Sequence, residues 1–146
     1  MKIEIELKED INERKVIIIT DVVDAEIEAL MERISIERPQ MLAGFSGEAV
    51  ILLEPGEIIR VYAAAGKVYA VTLEGEYVLR MRLYELENRL ESGLFVRISN
   101  SEIVNLKKVR KFDLSYAGTI RVDLTNGDNT FVSRRYMGKI KKALGL

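Results

Sequence analysis

The chain has 146 residues, 48% hydrophobic and 31% charged, enough to bury a core and stay in water. It contains no Cys and no His, which removes disulfides, thiolate or imidazole metal sites, and catalysis by His-bearing dyads or triads. The net charge of −1 conceals a gradient: residues 1–57 carry 6 Lys/Arg against 14 Asp/Glu, residues 58–96 carry 5 against 5, and residues 97–146 carry 11 against 4. An acidic front and a basic back point to a polyanion as partner of the back, or to pairing of the two halves within the molecule.

In chain order, Lys2–Lys8 alternates, with Ile3, Ile5 and Leu7 on one face, and reads as a half-buried strand. Val16–Thr20 is a short β-branched run that reads as a second, more buried strand; it falls far below the roughly 20 apolar residues that span a bilayer. No signal peptide is recognisable, so a cytoplasmic protein is expected. Asp21 is placed to cap a helix over 22–37, with Val23, Ile27, Leu30, Met31 and Ile34 at helical spacing, ended by Arg38-Pro39. Residues 41–45 and 48–53 form a hairpin around Ser46-Gly47. The front therefore reads β-β-α-β-β, a small α+β region over 1–57, with Glu54-Pro55-Gly56-Glu57 as its boundary.

The remainder, 58–146, reads as mostly β with short helices. Strands are expected at Ile58–Ala65, Lys67–Leu73 and Tyr77–Arg80, then a helix over 82–91 closed by Ser92-Gly93. Phe95–Ile98, a polar turn at Ser99-Asn100-Ser101, and an irregular Ile103–Val109 follow. Strands at Lys111–Ser115, Thr119–Thr125 and Thr130–Ser133 are joined in part by Asn126-Gly127-Asp128, whose composition predicts a type I′ turn. A basic helix over Arg134–Leu144 ends the chain, with Ser133 at its N-cap and Gly145 behind it.

Two stretches carry chemistry. In residues 95–112 the apolar anchors Phe95, Ile98, Ile103, Val104 and Val109 alternate with Arg97, Ser99, Asn100, Ser101, Asn105, Lys107 and Lys108. Asparagine offers a donor and an acceptor, so this segment suits phosphates and base edges; it equally suits turns that bond their own backbone. In residues 132–144, Arg134 and Arg135 occupy the first turn of a helix, where the dipole disfavours cations unless they face solvent or an arriving anion. An arginine there can fork onto guanine O6 and N7. Lys139, Lys141 and Lys142 sit where the dipole favours them. The six tyrosines read as core or rim residues of the β-structure, and the acidic helix face at Glu26, Glu28, Glu32 and Glu37 as a solvated one.

Together, F-V-R-I-S-N-S-x-I-V-N-L-x-x-V, the strands after it, N-G and V-S-R-R-Y-x-x-x-I-K resemble a LytTR DNA-binding domain, with Leu83–Leu90 as that family's preceding helix. The resemblance covers 58–146. It implies an elongated β-fold with short helices that puts loops, rather than a recognition helix, into successive major grooves. It implies base contacts near Gly66-Lys67, at Asn100 with Ser99 beside it, and at Arg135 with Arg134 next to it; Ser101 joins the expected DNA-binding set from its place in the polar turn. Arg97, Lys107 and Lys108 complete the expected DNA-binding set. The chain departs from the family at Ser99, where His is frequent, so one ring contact is replaced by a shorter hydroxyl. Asn105 is expected to hold the loop through backbone bonds. The front is too short for a receiver domain, so the resemblance is to small stand-alone bacterial regulators that bind tandem direct repeats as homodimers. In that group a membrane protein encoded alongside often holds activity in check. No cofactor, metal or catalytic residue is expected: carboxylates show no isolated apolar pairing and no phosphate-binding Gly motif occurs. The alternative is a protein-interaction module, governed by a membrane partner, with weak DNA binding.

Overall fold

The computed structural model describes residues 1–35, 41–91 and 93–146. It divides into two compact units, Met1–Arg38 and Pro39–Leu146.

In the first unit, Lys2–Lys8 and Val16–Thr20 form no strand, contrary to the expected β-β start. Alternation supplies an apolar face, but a strand also needs a partner for its N–H and C=O groups, and neither run is paired with another among the described residues. Ile3, Ile5, Leu7 and Ile19 stay exposed. Helix α1 spans Ala25–Ser35 and starts later than expected, because Asp24 rather than Asp21 caps it: its Oδ1 accepts from the Ile27 N–H at 3.0 Å. The alternate residues Val16, Ile18 and Thr20 line a groove with Val23 and the α1 residues Ile27, Met31 and Ile34. The expected stop at Arg38-Pro39 lies outside the described residues.

The second unit begins with the hairpin β1 (Leu42–Ser46) and β2 (Ala49–Leu53). This hairpin does not belong to a separate front region. Strand β1 pairs with β5 (Gly75–Leu79), so the expected boundary at Glu54–Glu57, here a 3-10 turn over Pro55–Glu57, lies inside one continuous sheet. Gly44 makes this fit possible: a Cβ there would meet Leu53 Cδ1 and Tyr77 Cβ at 2.8 Å. Strands β3 (Arg60–Ala64), β4 (Lys67–Thr72), β6 (Phe95–Ser99) and β7 (Glu102–Asn105) complete a seven-stranded antiparallel sheet ordered β2-β1-β5-β4-β3-β7-β6. A second sheet is ordered β10-β9-β8, from β8 (Val109–Asp113), β9 (Ile120–Leu124) and β10 (Asn129–Val132). Helix α2 is Leu83–Arg89 and α3 is Arg134–Ala143.

Period-two geometry explains why adjacent residues are both buried. Ile58, Phe95 and Ile103 join one core with α2 residues Leu83 and Leu86, while Ile59, Val96 and Val104 join another with Ile120, Val122, Val132 and Ile140. The large sheet is thus covered by α2 on one face and by the small sheet with α3 on the other. Each fully buried Ile or Leu stabilises the fold by about 1.5–3 kcal/mol.

Two local endings differ from expectation. Helix α2 is closed by Leu90 in extended conformation, its N–H bonded to Leu86 O. The β9–β10 turn is not type I′, because only Gly127 takes a left-handed φ (+89°). Gly127 N–H donates to Leu124 O at 3.1 Å, and Leu124 N–H to Asp128 O at 2.8 Å, the pattern of a three-residue loop whose left-handed glycine follows an ordinary turn. The β3–β4 turn is the one with two left-handed residues, Ala65 (φ +51°) and Gly66 (φ +76°).

Candidate nucleic-acid interface

The hairpin β6–β7 has two ends, and the expected site residues divide between them. At one end lies Ser99-Asn100-Ser101. Arg97, on β6, holds this turn from behind. Its Nε donates to Ser99 O at 2.8 Å, one terminal nitrogen to Asn100 O, and the other to Glu87 Oε2 of α2 at 2.7 Å. The guanidinium is therefore committed inside the protein and mostly buried. Arg97 is a positioning residue for the turn, in contrast to the direct contact expected from sequence. Ser99 Oγ accepts from the Ser101 N–H at 3.2 Å, so the serine-rich turn also folds on itself.

The start of α3 sits against the same end. Ser133 N–H donates to Ile98 O at 2.9 Å, and the Tyr136 hydroxyl donates to Asn100 Oδ1 at 3.1 Å. Tyr136, read from sequence as a core or rim residue, holds the oxygen end of the exposed Asn100 amide and leaves its N–H₂ end without a hydrogen bond among the described residues. Its signal in sequence was its place next to Arg135. Ser133 stands at the N-cap position but its hydroxyl makes no capping bond. Arg134 packs its guanidinium over Gly118 in the β8–β9 connection, and Arg135 is exposed. Neither has a carboxylate partner among the described residues.

The β3–β4 turn reaches the same end, because Ala63 N–H donates to Ser101 O at 2.8 Å and Ala64 pairs with Lys67. Lys67 is exposed and also lacks a carboxylate partner. A shallow groove lined by Lys67, Arg80, Arg82, Arg97 and Asn100 runs along this edge. Arg80 and Arg82 were passed over in sequence because residues 58–96 balance to zero charge.

Lys107 and Lys108 lie elsewhere. They form the 3-10 turn Leu106–Lys108 after β7, about 13 Å from the Ser99–Ser101 turn along four extended residues. Asn105 anchors that turn from a fully buried position: its Nδ2 donates to Ile58 O at 2.8 Å and its Oδ1 accepts from the Lys107 N–H at 3.0 Å.

The electrostatics separate the edge from the interior. Glu102, buried, accepts from Arg60 at 3.3 Å and from Thr130 Oγ1 at 2.7 Å; Arg121 bridges Asp123 at 2.8 Å, and Lys139 bridges Glu87 at 3.7 Å. Hydrogen bonds that Arg121 donates to Tyr116 and Asp123 push its guanidinium further toward its charged form. Arg60, Arg121 and Lys139 are matched by carboxylates, whereas Lys67, Arg134 and Arg135 at the edge have none among the described residues. Among the described residues no cluster of acidic side chains could hold a metal ion, and no helix is long and apolar enough to cross a membrane.

Comparison with known proteins agrees with this architecture. The family model described as LytTr DNA-binding domain matches residues 48–145, which includes β2 and so begins before the resemblance read from sequence. An uncharacterised HTH-type transcriptional regulator of Staphylococcus aureus (strain NCTC 8325 / PS 47) is 33% identical over 111 residues, covering 76% of this chain and 75% of the relative. One from S. aureus strain MRSA252 is 32% identical over the same shares. Among solved structures, the LytTr DNA-binding domain of a protein described as a methyl-accepting/DNA response regulator from Bacillus cereus shares the fold, with a TM-score of 0.70 at 23% identity over 73% of this chain and 97% of that one. The helix-turn-helix in the relatives' names has no counterpart among the described residues, where five strands separate each helix from the next. In family, then, the chain belongs with the LytTr DNA-binding domains.

Proposed function

We propose that this protein is a transcriptional regulator that reads DNA sequence with the edge formed by Lys67, Ser99–Ser101 and Arg134–Arg135. The observation that carries the reading is the Tyr136–Asn100 hydrogen bond, which joins the polar turn and the basic helix start into one surface of unneutralised charge. In this reading Asn100 offers its outward amide to a base edge, Arg135 forks onto a guanine, and Ser99 and Ser101 meet phosphate or base. Arg97 positions the turn, and Lys107 and Lys108 add general attraction from a distance. Two copies bind tandem direct repeats, with the acidic front unit serving assembly or regulation in the cytoplasm. The exposed Ile3, Ile5, Leu7, Ile17 and Ile19 of that unit support a partner there, either a second copy or a membrane protein that restrains activity.

The test is a binding titration on a duplex selected from random-sequence DNA by the wild-type protein. Arg135→Ala is expected to weaken specific binding by about 1–3 kcal/mol, with little loss on shuffled DNA. Equal loss on both duplexes would reduce Arg135 to a phosphate contact. Undiminished binding by the Asn100→Ala/Arg135→Ala double variant would sink the site assignment.

A further inference from the structure

The row of unneutralised cations continues past the loops. Strand β5 ends at Leu79, which pairs with Val68, so Arg80 lies across from Lys67 at the same edge. The Arg80 guanidinium carbon stands 3.8 Å from the centroid of the Phe45 ring on β1. Stacking occupies the flat face of the guanidinium and leaves its N–H edge open to an acceptor. It also holds a long side chain in place, which reduces the rotamer freedom lost when an anion binds. Arg82, two residues on, precedes α2; its backbone N–H bonds Glu85 Oε1 at 3.3 Å. Both arginines are exposed, and neither side chain has a carboxylate partner among the described residues. Across β5-β4-β3-β7, Arg80 lies three strand spacings, about 14 Å, from the Ser101 side of the polar turn. That distance corresponds to roughly four base-pair rises measured along the DNA axis.

We infer that Arg80 and Arg82 grip DNA backbone phosphates beside the bases met by the Ser99–Ser101 turn. The Phe45 platform lies on β1, ahead of the matched segment 48–145, so the β1–β2 hairpin extends the DNA interface beyond that segment. The inference rests on the DNA-binding reading and adds a second group of contacts to it. Because these contacts carry no base readout, they set affinity and salt dependence but not sequence preference.

The test compares wild-type protein with the Arg80→Gln/Arg82→Gln and Arg80→Lys/Arg82→Lys variants, on the selected duplex and on a shuffled duplex of equal length, across a salt series. Each phosphate contact contributes about 0.9 to the slope of log affinity against log salt. The Gln variant should therefore be shallower by about 1.8, so that between 50 and 200 mM salt the wild type loses about tenfold more affinity than the variant. The ratio of selected to shuffled binding should stay constant, and the Lys variant should keep the wild-type slope. A wild-type slope in the Gln variant, or a fall in the selected-to-shuffled ratio, overturns the inference while leaving the DNA-binding reading intact. Absence of salt-dependent binding by the wild type overturns both.

Discussion

The two ends of the β6–β7 hairpin are built by opposite means. At the far end Asn105 closes the turn with an uncharged, fully buried amide, and the neighbouring Arg60 is matched by Glu102 and Asp128. At the near end Arg97 closes the turn with a charged fork, and the rim around it carries cations with no carboxylate to meet. The near end is held in shape while the charge around it is left over; at the far end Lys107 and Lys108 are left over too, but the residue that locks the turn is uncharged. A surface meant for a polyanion needs both properties, because a floppy cationic loop spends binding energy on ordering itself.

The largest expected effect breaks the far end. Asn105→Ala leaves Ile58 O and the Lys107 N–H without their partner, each in protein surroundings. Urea denaturation should show a loss of about 3 kcal/mol, the sum expected for orphaning two such groups. The protein that remains folded should keep its preference for the selected duplex over a shuffled one. A loss below about 1 kcal/mol would mean that water replaces the amide, and that the far end is not locked as described.

Next in size is the near-end clamp. Arg97→Ala removes bonds to Ser99 O, Asn100 O and Glu87, and should cost about 2 kcal/mol of stability, since one of the three is a charge-assisted bond to a half-exposed carboxylate. Unlike the far-end variant, it should also erode the preference for the selected duplex, because Asn100 then loses its fixed direction. If instead affinity fell equally on both duplexes at unchanged stability, Arg97 would be acting as a DNA contact through its charge alone.

Sequence reading reached the second unit well because its strands carry their own instructions. Runs such as Ile58-Ile59 and Ile103-Val104 bury both faces, and the glycines at 66 and 127 mark turns where left-handed backbone is required. It failed at Lys2–Lys8 for a complementary reason: alternation records a face that wants covering, not whether a neighbouring strand exists to pair with. It misplaced the boundary at Glu54–Glu57 because Pro55-Gly56 reads as a break, whereas the register of Gly44 against Leu79 is a long-range fact with no local mark. In the site, residue type pointed to Asn100 and Arg135 but could not separate exposed from committed cations. Arg97 and Arg135 look alike in the chain; only the three acceptors around Arg97 tell them apart.

The smallest effect concerns pH, and it sharpens the same contrast. Asp113, at the near-end mouth of the β8–β9 connection, accepts from the Ser115 hydroxyl at 2.6 Å and from the Ser115 N–H at 3.0 Å. The hydroxyl bond, then the backbone bond, hold its carboxyl below the usual aspartate range. A depressed folded value means that the carboxylate form stabilises the fold above the ordinary aspartate pKa, and that this contribution is lost as pH falls through the lowered value. Thermal melts of wild type and Asp113→Asn should therefore differ slightly at neutral pH, with wild type the more stable, and converge in acid. A difference that grew on acidification would reverse the assignment. The corresponding comparison for Asn105→Ala should stay flat over the same range, because the far end is closed by an amide that does not titrate.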